Sequence, residues 1–172
     1  VKLIEQTGTP ITAEAEVTDT EAPKVTSFTA QIAEVSVDPE TGEVRLLKIT
    51  TAHDTGRVIN PQGHQGQVNG GVMHGIGYAL MEDMRVEDGR VTALSFADYK
   101  IPTIADIPEL KTVILESESG MGPYNVKGIG ESPNGPTAAA IANAVADASG
   151  ARVYDLPVTA ERVFRAINQS QP

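Results

Sequence analysis

The apolar positions of this chain change period several times, and each change marks a new element. From Ser27 to Val37 apolar and polar residues alternate, with Ala33, Val35 and Val37 on one face. Phe28, Ala30 and Ile32 occupy the other face, which predicts a strand either buried on both sides or bulged near its middle. Asp38-Pro-Glu-Thr-Gly-Glu43 then offers a proline for a turn and a glycine for positive φ. A hairpin to a second strand, Val44 to about Ala52, is expected there. The stretch His53 to Pro61 leaves the sheet as an irregular loop, in which Pro61 disfavours helix at Asn60 and suits the first turn of the next element. From about Gln62 to Met84 the period becomes helical, with Val68, Val72, Ile76 and Leu80 four apart.

That helix also carries Gly66, Gly70, Gly71, Gly75 and Gly77. Each glycine inside a helix costs roughly 0.5–1 kcal/mol relative to alanine. The sequence tolerates them only if another backbone or a ligand comes close along that face. Further on, Glu87-Asp-Gly-Arg90 reads as a second hairpin turn leading to a strand from Val91 to Phe96. Prolines make residues 97–108 an extended crossing, with Tyr99 as a core aromatic or a pocket wall. Lys111 to Glu116 alternates and predicts another strand.

The stretch from Gly122 to Pro136 holds too many glycines and prolines for regular structure, and it delivers one carboxylate, Glu131, close to a helix start. By residue type alone Glu131 is either a general base or a favourable charge at the positive end of a helix dipole. The helix, Pro136 to Ser149, buries Ala138, Ile141, Ala142 and Val145, and Gly150 takes the C′ position. Arg152 to Asp155 is short and extended, and Thr159 caps a last helix from Ala160 to Ile167. Residues 1–24 are polar and without periodicity, which predicts an extended connecting arm before one domain over 25–172. The class is α+β, a mixed or antiparallel sheet of hairpins with packed helices.

Composition narrows the chemistry. The 172 residues contain no cysteine, so this chain carries no thiolate zinc site, iron–sulfur cluster or cysteine nucleophile. A formal charge of −10 argues against nucleic-acid or membrane-surface partners. No apolar run has the length of a membrane span and no secretion signal opens the chain, so a cytoplasmic location is expected. The chain starts at Val1, which fits a processed or trimmed chain or one part of a longer polypeptide. The three histidines, His53, His64 and His74, lack metal-ligand spacing and are read as packing residues.

Six blocks in one order make the chain resemble the carboxy-terminal part of the molybdenum subunit of the xanthine dehydrogenase/aldehyde oxidase family. They are D-P-E-T-G-E, D-T-G-R-V-I-N-P, G-Q-V-N-G-G-V-M-H-G-I-G-Y-A-L, D-Y-K-I-P-T with D-I-P, K-G-I-G-E, and an A-I-A-N-A-V helix followed by L-P-V-T. They run from about Phe28 to Ile167. The resemblance implies that Glu131 is a general base toward a water-derived oxygen activated at molybdenum, in the oxidative hydroxylation of an aldehyde or N-heterocycle. It implies a molybdopterin contact for Gln67, with Gly66, Gly70 and Gly71 as room for the pterin, which in this family can carry a nucleotide. Lys127, Gly128 and Gly130 would shape the loop and offer backbone donors, Lys127 being equally well an ion-pair partner. No residue of this chain is a direct metal ligand in this reading. Asn125 and Val126 depart from the glycine and alanine common at those places, and Asn tolerates the left-handed backbone such a turn needs. The resemblance further implies 2Fe-2S and FAD groups on partner chains or domains, and a remaining part of the molybdenum subunit that completes the site. The alternative is a non-catalytic interaction or scaffold module of a larger complex.

Overall fold

The computed structural model describes residue 8, residues 12–16 and residues 25–169. Most of the expected arm at 1–24 therefore lies outside the described residues. Strand β1 (Thr29–Val37) and strand β2 (Val44–Asp54) form the expected hairpin, with Thr29 opposite His53 and Val37 opposite Val44. Gly42, at φ 76°, closes the turn, and a Cβ there would run into the carbonyl of Ala160. The register shifts between Glu34 and Val35, where Leu47 is the extra residue on β2. The irregularity thus falls in the middle of the pair but on the partner strand. β1 itself alternates strictly and turns Phe28, Ala30 and Ile32 to the outside.

Helix α1 (Pro61–Leu80) starts where Pro61 dictates, capped by Asn60, whose side-chain oxygen accepts from the Gly63 N–H. It ends four residues before the expected Met84. The N–H groups of Met81 and Glu82 both turn back to the Gly77 carbonyl, and the Glu82 carboxylate lies where a Gly77 Cβ would sit. Strands β3 (Val86–Glu87) and β4 (Arg90–Val91) are only a tight ribbon around the second turn. The strand expected to reach Phe96 stops at Val91: Thr92 still donates to the Arg85 carbonyl, and beyond it Leu94 and Phe96 stand exposed. The proline-bounded crossing is irregular apart from one 3-10 turn, Ile104–Asp106, capped by Thr103.

Strand β5 (Glu109–Leu115) joins β2 in parallel, giving a mixed sheet in the order β1–β2–β5. Helix α2 (Thr137–Ser149) crosses the sheet over β1 and ends in the left-handed Gly150, and helix α3 (Ala160–Gln169) follows. Ile49 from the sheet, Val72, Ile76 and Ala79 from α1, Ala138, Ile141 and Val145 from α2, and Val163 from α3 make one core. All of it lies on one face of the sheet. Gly75 and Gly71 face the start of α2, and a Cβ on Gly75 would overlap the Thr137 side chain. Two of the helix glycines, Gly71 and Gly75, therefore serve helix packing.

His53 and His64 are buried as expected, but His74 is exposed, at the rim of a pocket it shares with Ile101, Pro102 and Ile104 of the crossing. Both ring nitrogens of His53 meet hydroxyls, Nε2 to Thr51 at 2.7 Å and Nδ1 to Thr29 at 3.2 Å. His64 Nε2 is buried with no hydrogen-bond partner among the described residues. Burial holds both imidazoles below their ordinary pKa, and the nearness of His64 adds to the effect at His53.

Gly75→Ala should lower unfolding stability by about 1–3 kcal/mol despite its better helix propensity, because the contact with Thr137 has no room for a methyl group. An unchanged urea midpoint would contradict it. His53 and His64 bind protons less readily folded than unfolded, so their contribution to stability is full above pH 6.5 and declines as pH falls below it. Thermal unfolding between pH 7.5 and 5.5 should show this decline, weaker in His64→Gln, and a flat profile would count against it.

Candidate functional site

The loop that carries Glu131 is built onto the end of β2. Lys127 reaches inward, almost fully buried, and its ammonium lies 2.6 Å from Asp54 and donates to the Thr26 carbonyl at 3.1 Å. That ammonium, together with the Ser117 hydroxyl, holds the Asp54 carboxyl below the usual carboxylate range. Backbone bonds extend the same stitch. The Lys127 N–H donates to the Thr55 carbonyl at 3.0 Å, and the Arg57 N–H donates to the Asn125 carbonyl at 2.9 Å. Asn125 takes a positive φ of 51°, as its residue type permits, and its backbone fits between Gly56 and Gly120, where any Cβ would collide with it. Of the two readings open for Lys127, the structure shows the ion pair, with the ammonium committed to the protein's own groups.

Downstream, the turn from Glu131 to Pro136 is pinned from three directions. Gln31 of β1 donates to the Pro133 carbonyl at 2.7 Å, Tyr78 of α1 donates to the Asn134 carbonyl at 3.0 Å, and the Thr137 hydroxyl donates to the Pro133 carbonyl at 3.1 Å. Pro133 fills the space beside Gly71, 2.9 Å from where a Cβ would stand. On the side where a Cβ would stand, the room at Gly71 is thus taken by the protein itself. Glu131 stands six residues before Thr137, the first residue of α2. A helix dipole acts within about one turn, so Glu131 is too far out to serve it.

Gln67 and Glu131 do come together. The Gln67 side-chain N–H donates to the Gly130 carbonyl at 3.3 Å, which ties the middle of α1 to the residue before Glu131. Both side chains are open to solvent. Around them, a Cβ added to Gly66, Gly70, Gly128 or Gly130 would meet nothing within 4 Å among the described residues. Beside Gln67 a cleft of about 430 Å³ opens between the start of α1 and residues 126–129, lined by Arg57, Ile59, Asn60, His64, Val126 and Ile129 among others. Among the described residues no group of three or more acidic, histidine or cysteine side chains could hold a metal. A metal at this place would have to arrive on a cofactor bringing its own ligands, and open glycines around a neutral amide fit a flat, polar organic group of that kind.

The residues that support this site carry weaker signals in the sequence. Asp54 sits in the D-T-G block directly after a strand, and an acid there facing a lysine of a later loop is the one signal available. Gln31 and Tyr78 have none, since their contacts join segments 102 and 56 residues apart.

A family model described as molybdopterin cofactor-binding domain matches residues 3–108, which includes Gly66, Gln67, Gly70 and Gly71 and ends before the Glu131 loop. The chain is 38% identical over 143 residues to a probable xanthine dehydrogenase subunit of Bacillus subtilis, covering 83% of this chain and 19% of that protein. It is 37% identical to a nicotinate dehydrogenase subunit of Pseudomonas putida, covering 82% of this chain and 12% of that one. The aldehyde oxidoreductase of Desulfovibrio gigas superposes with a TM-score of 0.76 at 33% identity, over 83% of this chain and 15% of that structure. The chain therefore spans about a fifth or less of the relatives it matches. Both matches to whole sequences and the superposition run over most of the described fold, beyond what one shared motif would produce. With the mixed sheet, the open glycine cradle and the family match in agreement, the chain belongs to the molybdopterin cofactor-binding domain family, within the molybdenum hydroxylases of xanthine dehydrogenase and aldehyde oxidase type.

Proposed function

We propose that this chain forms part of the molybdenum subunit of a hydroxylase that oxidatively hydroxylates an aldehyde or an N-heterocycle with oxygen derived from water. The observation that carries the reading is the Gln67–Gly130 bond, which ties a neutral amide to the residue before Glu131 along an open row of glycines. When bound, the molybdopterin cofactor supplies two-electron redox chemistry and acidifies a water-derived oxygen. Gln67 orients the cofactor, donating or accepting without adding charge. Gly66 and Gly70 on α1, with Gly128 and Gly130 on the loop, let the cofactor approach the backbone. Glu131 accepts the proton from the attacking oxygen as general base. Asp54 and Lys127 act at a distance, holding the loop on which Glu131 is mounted.

The rest of the molybdenum subunit would complete the cofactor pocket, and iron–sulfur and flavin groups on partner chains or domains would remove the electrons. The names of the relatives, xanthine dehydrogenase, nicotinate dehydrogenase and aldehyde oxidoreductase, support the substrate classes without choosing among them. No helix among the described residues is long and apolar enough to cross a membrane.

In the assembled enzyme, Glu131→Gln should lower turnover by about 100-fold or more while molybdenum content stays at the wild-type level. Near-normal turnover with the metal retained would remove Glu131 from the role of base. Gly70→Ala separates the cradle from the scaffold. The methyl group meets no protein atom, so the cofactor-free chain should gain about 0.5–1 kcal/mol of stability. Molybdenum content of the assembled protein should fall in the same variant. Unaltered metal loading would show that α1 does not face the cofactor there.

A further inference from the structure

The core uses one face of the β1–β2–β5 sheet, and the opposite face is a graded surface whose rows can be read from the register. Glu34, Lys48 and Glu109 form one row, with Lys48 and Glu109 paired at 3.1 Å. Ile32, Thr50 and Lys111 form the next, then Ala30, Ala52 and Val113, and finally Phe28, Asp54 and Leu115. The middle column, on β2, is small and partly shielded. The flanking columns stand up, with Ile32 and Phe28 exposed at 68% and 67%, and Leu115 and Val113 at 56% and 38%. Adjacent strands lie about 4.8 Å apart, so the two walls are separated by about 10 Å. The result is a trough with a floor of Thr50 and Ala52, a β1 wall of Ile32 and Phe28, a β5 wall of Val113 and Leu115 continued by Lys111, the Glu34–Lys48–Glu109 row at one end and Asp54, paired with Lys127, at the other.

We propose that this trough seats an amphipathic helix belonging to the remaining part of the molybdenum subunit, which lies along β2. This rests on the functional reading above. A helix with its side chains is about 10 Å across and presents a ridge, which matches the spacing of the walls. A sheet with a hydrophobic face needs a second layer on that face, and a contiguous exposed apolar surface of this kind marks an interaction site. The occupant has a source, since the relatives contain four-fifths or more of their length outside the region this chain matches. A second copy of this chain fits less well. It would bring two charges of −10 together, and two troughs face to face would leave a void over Ala52.

The test uses the complete natural protein that contains this chain, with the photo-crosslinking amino acid benzoylphenylalanine placed at Ile32 or at Val113. Mass spectrometry of the irradiated protein should find crosslinks from both positions to one helical segment of the same molybdenum subunit, outside the matched region. A cysteine placed at Ala52, read by labelling of its own peptide, should react at least about tenfold more slowly in the native protein than after denaturation. Crosslinks to another copy of this chain, to an iron–sulfur or flavin chain, or only to water would overturn the proposal, as would rapid labelling at Ala52. Molybdenum content of the same preparations is measured separately. A metal-free protein with the helix in place would refute the functional reading alone, and a metal-loaded protein with an open trough would refute the docking alone.

Discussion

A single buried ion pair connects the two halves of this fold that matter for its chemistry. Lys127 comes from an irregular loop and Asp54 from the last residue of β2, and at 2.6 Å they lock the loop onto the end of the sheet. Taking an ammonium out of water is costly unless its donors are met, and here Asp54 and the Thr26 carbonyl meet them. A buried pair of this kind contributes less to net stability than to selecting one arrangement among several. What it selects is the path of the chain from Asn125 onward. Gly56 and Gly120 complete the choice by leaving space only for a backbone without intervening side chains.

From that anchor the loop runs to a second set of constraints that set the direction of Glu131. Gln31, Tyr78 and Thr137 each donate to carbonyls of the turn after Glu131, and Gln67 donates to the carbonyl before it. The carboxylate is therefore held by bonds to its neighbours' backbone and left free itself. The α1 glycines divide along the same lines. Gly71 and Gly75 admit Pro133 and Thr137, Gly77 admits the Glu82 carboxylate, and Gly66 and Gly70 face open space next to Gln67.

The one-sided sheet is the other large feature. Its inner face is closed by two helices, while Phe28, Ile32, Val113 and Leu115 lie outside with no described element over them. The chain spans about a fifth or less of the relatives it matches.

Much of the fold was legible in the order of residues. The β1–β2 hairpin, the Pro61 start of α1, the Gly150 end of α2 and the Thr159 cap reflect turn and cap chemistry, which acts over a few residues and leaves a local imprint. Other features were beyond local reading. The period of β1 could not say that its outer face would be bare, because burial depends on what packs there. Five glycines in one helix announced close approach without saying to what, and only the packing of Pro133 and Thr137 separated scaffold from cradle. The strand expected to run to Phe96 ended at Val91. Residue order by itself determined most of the elements and their caps. The tertiary structure alone decided which glycines remain open, which charge is spent on Asp54 and which face of the sheet is left for another segment, since each of these depends on contacts between residues far apart in the chain.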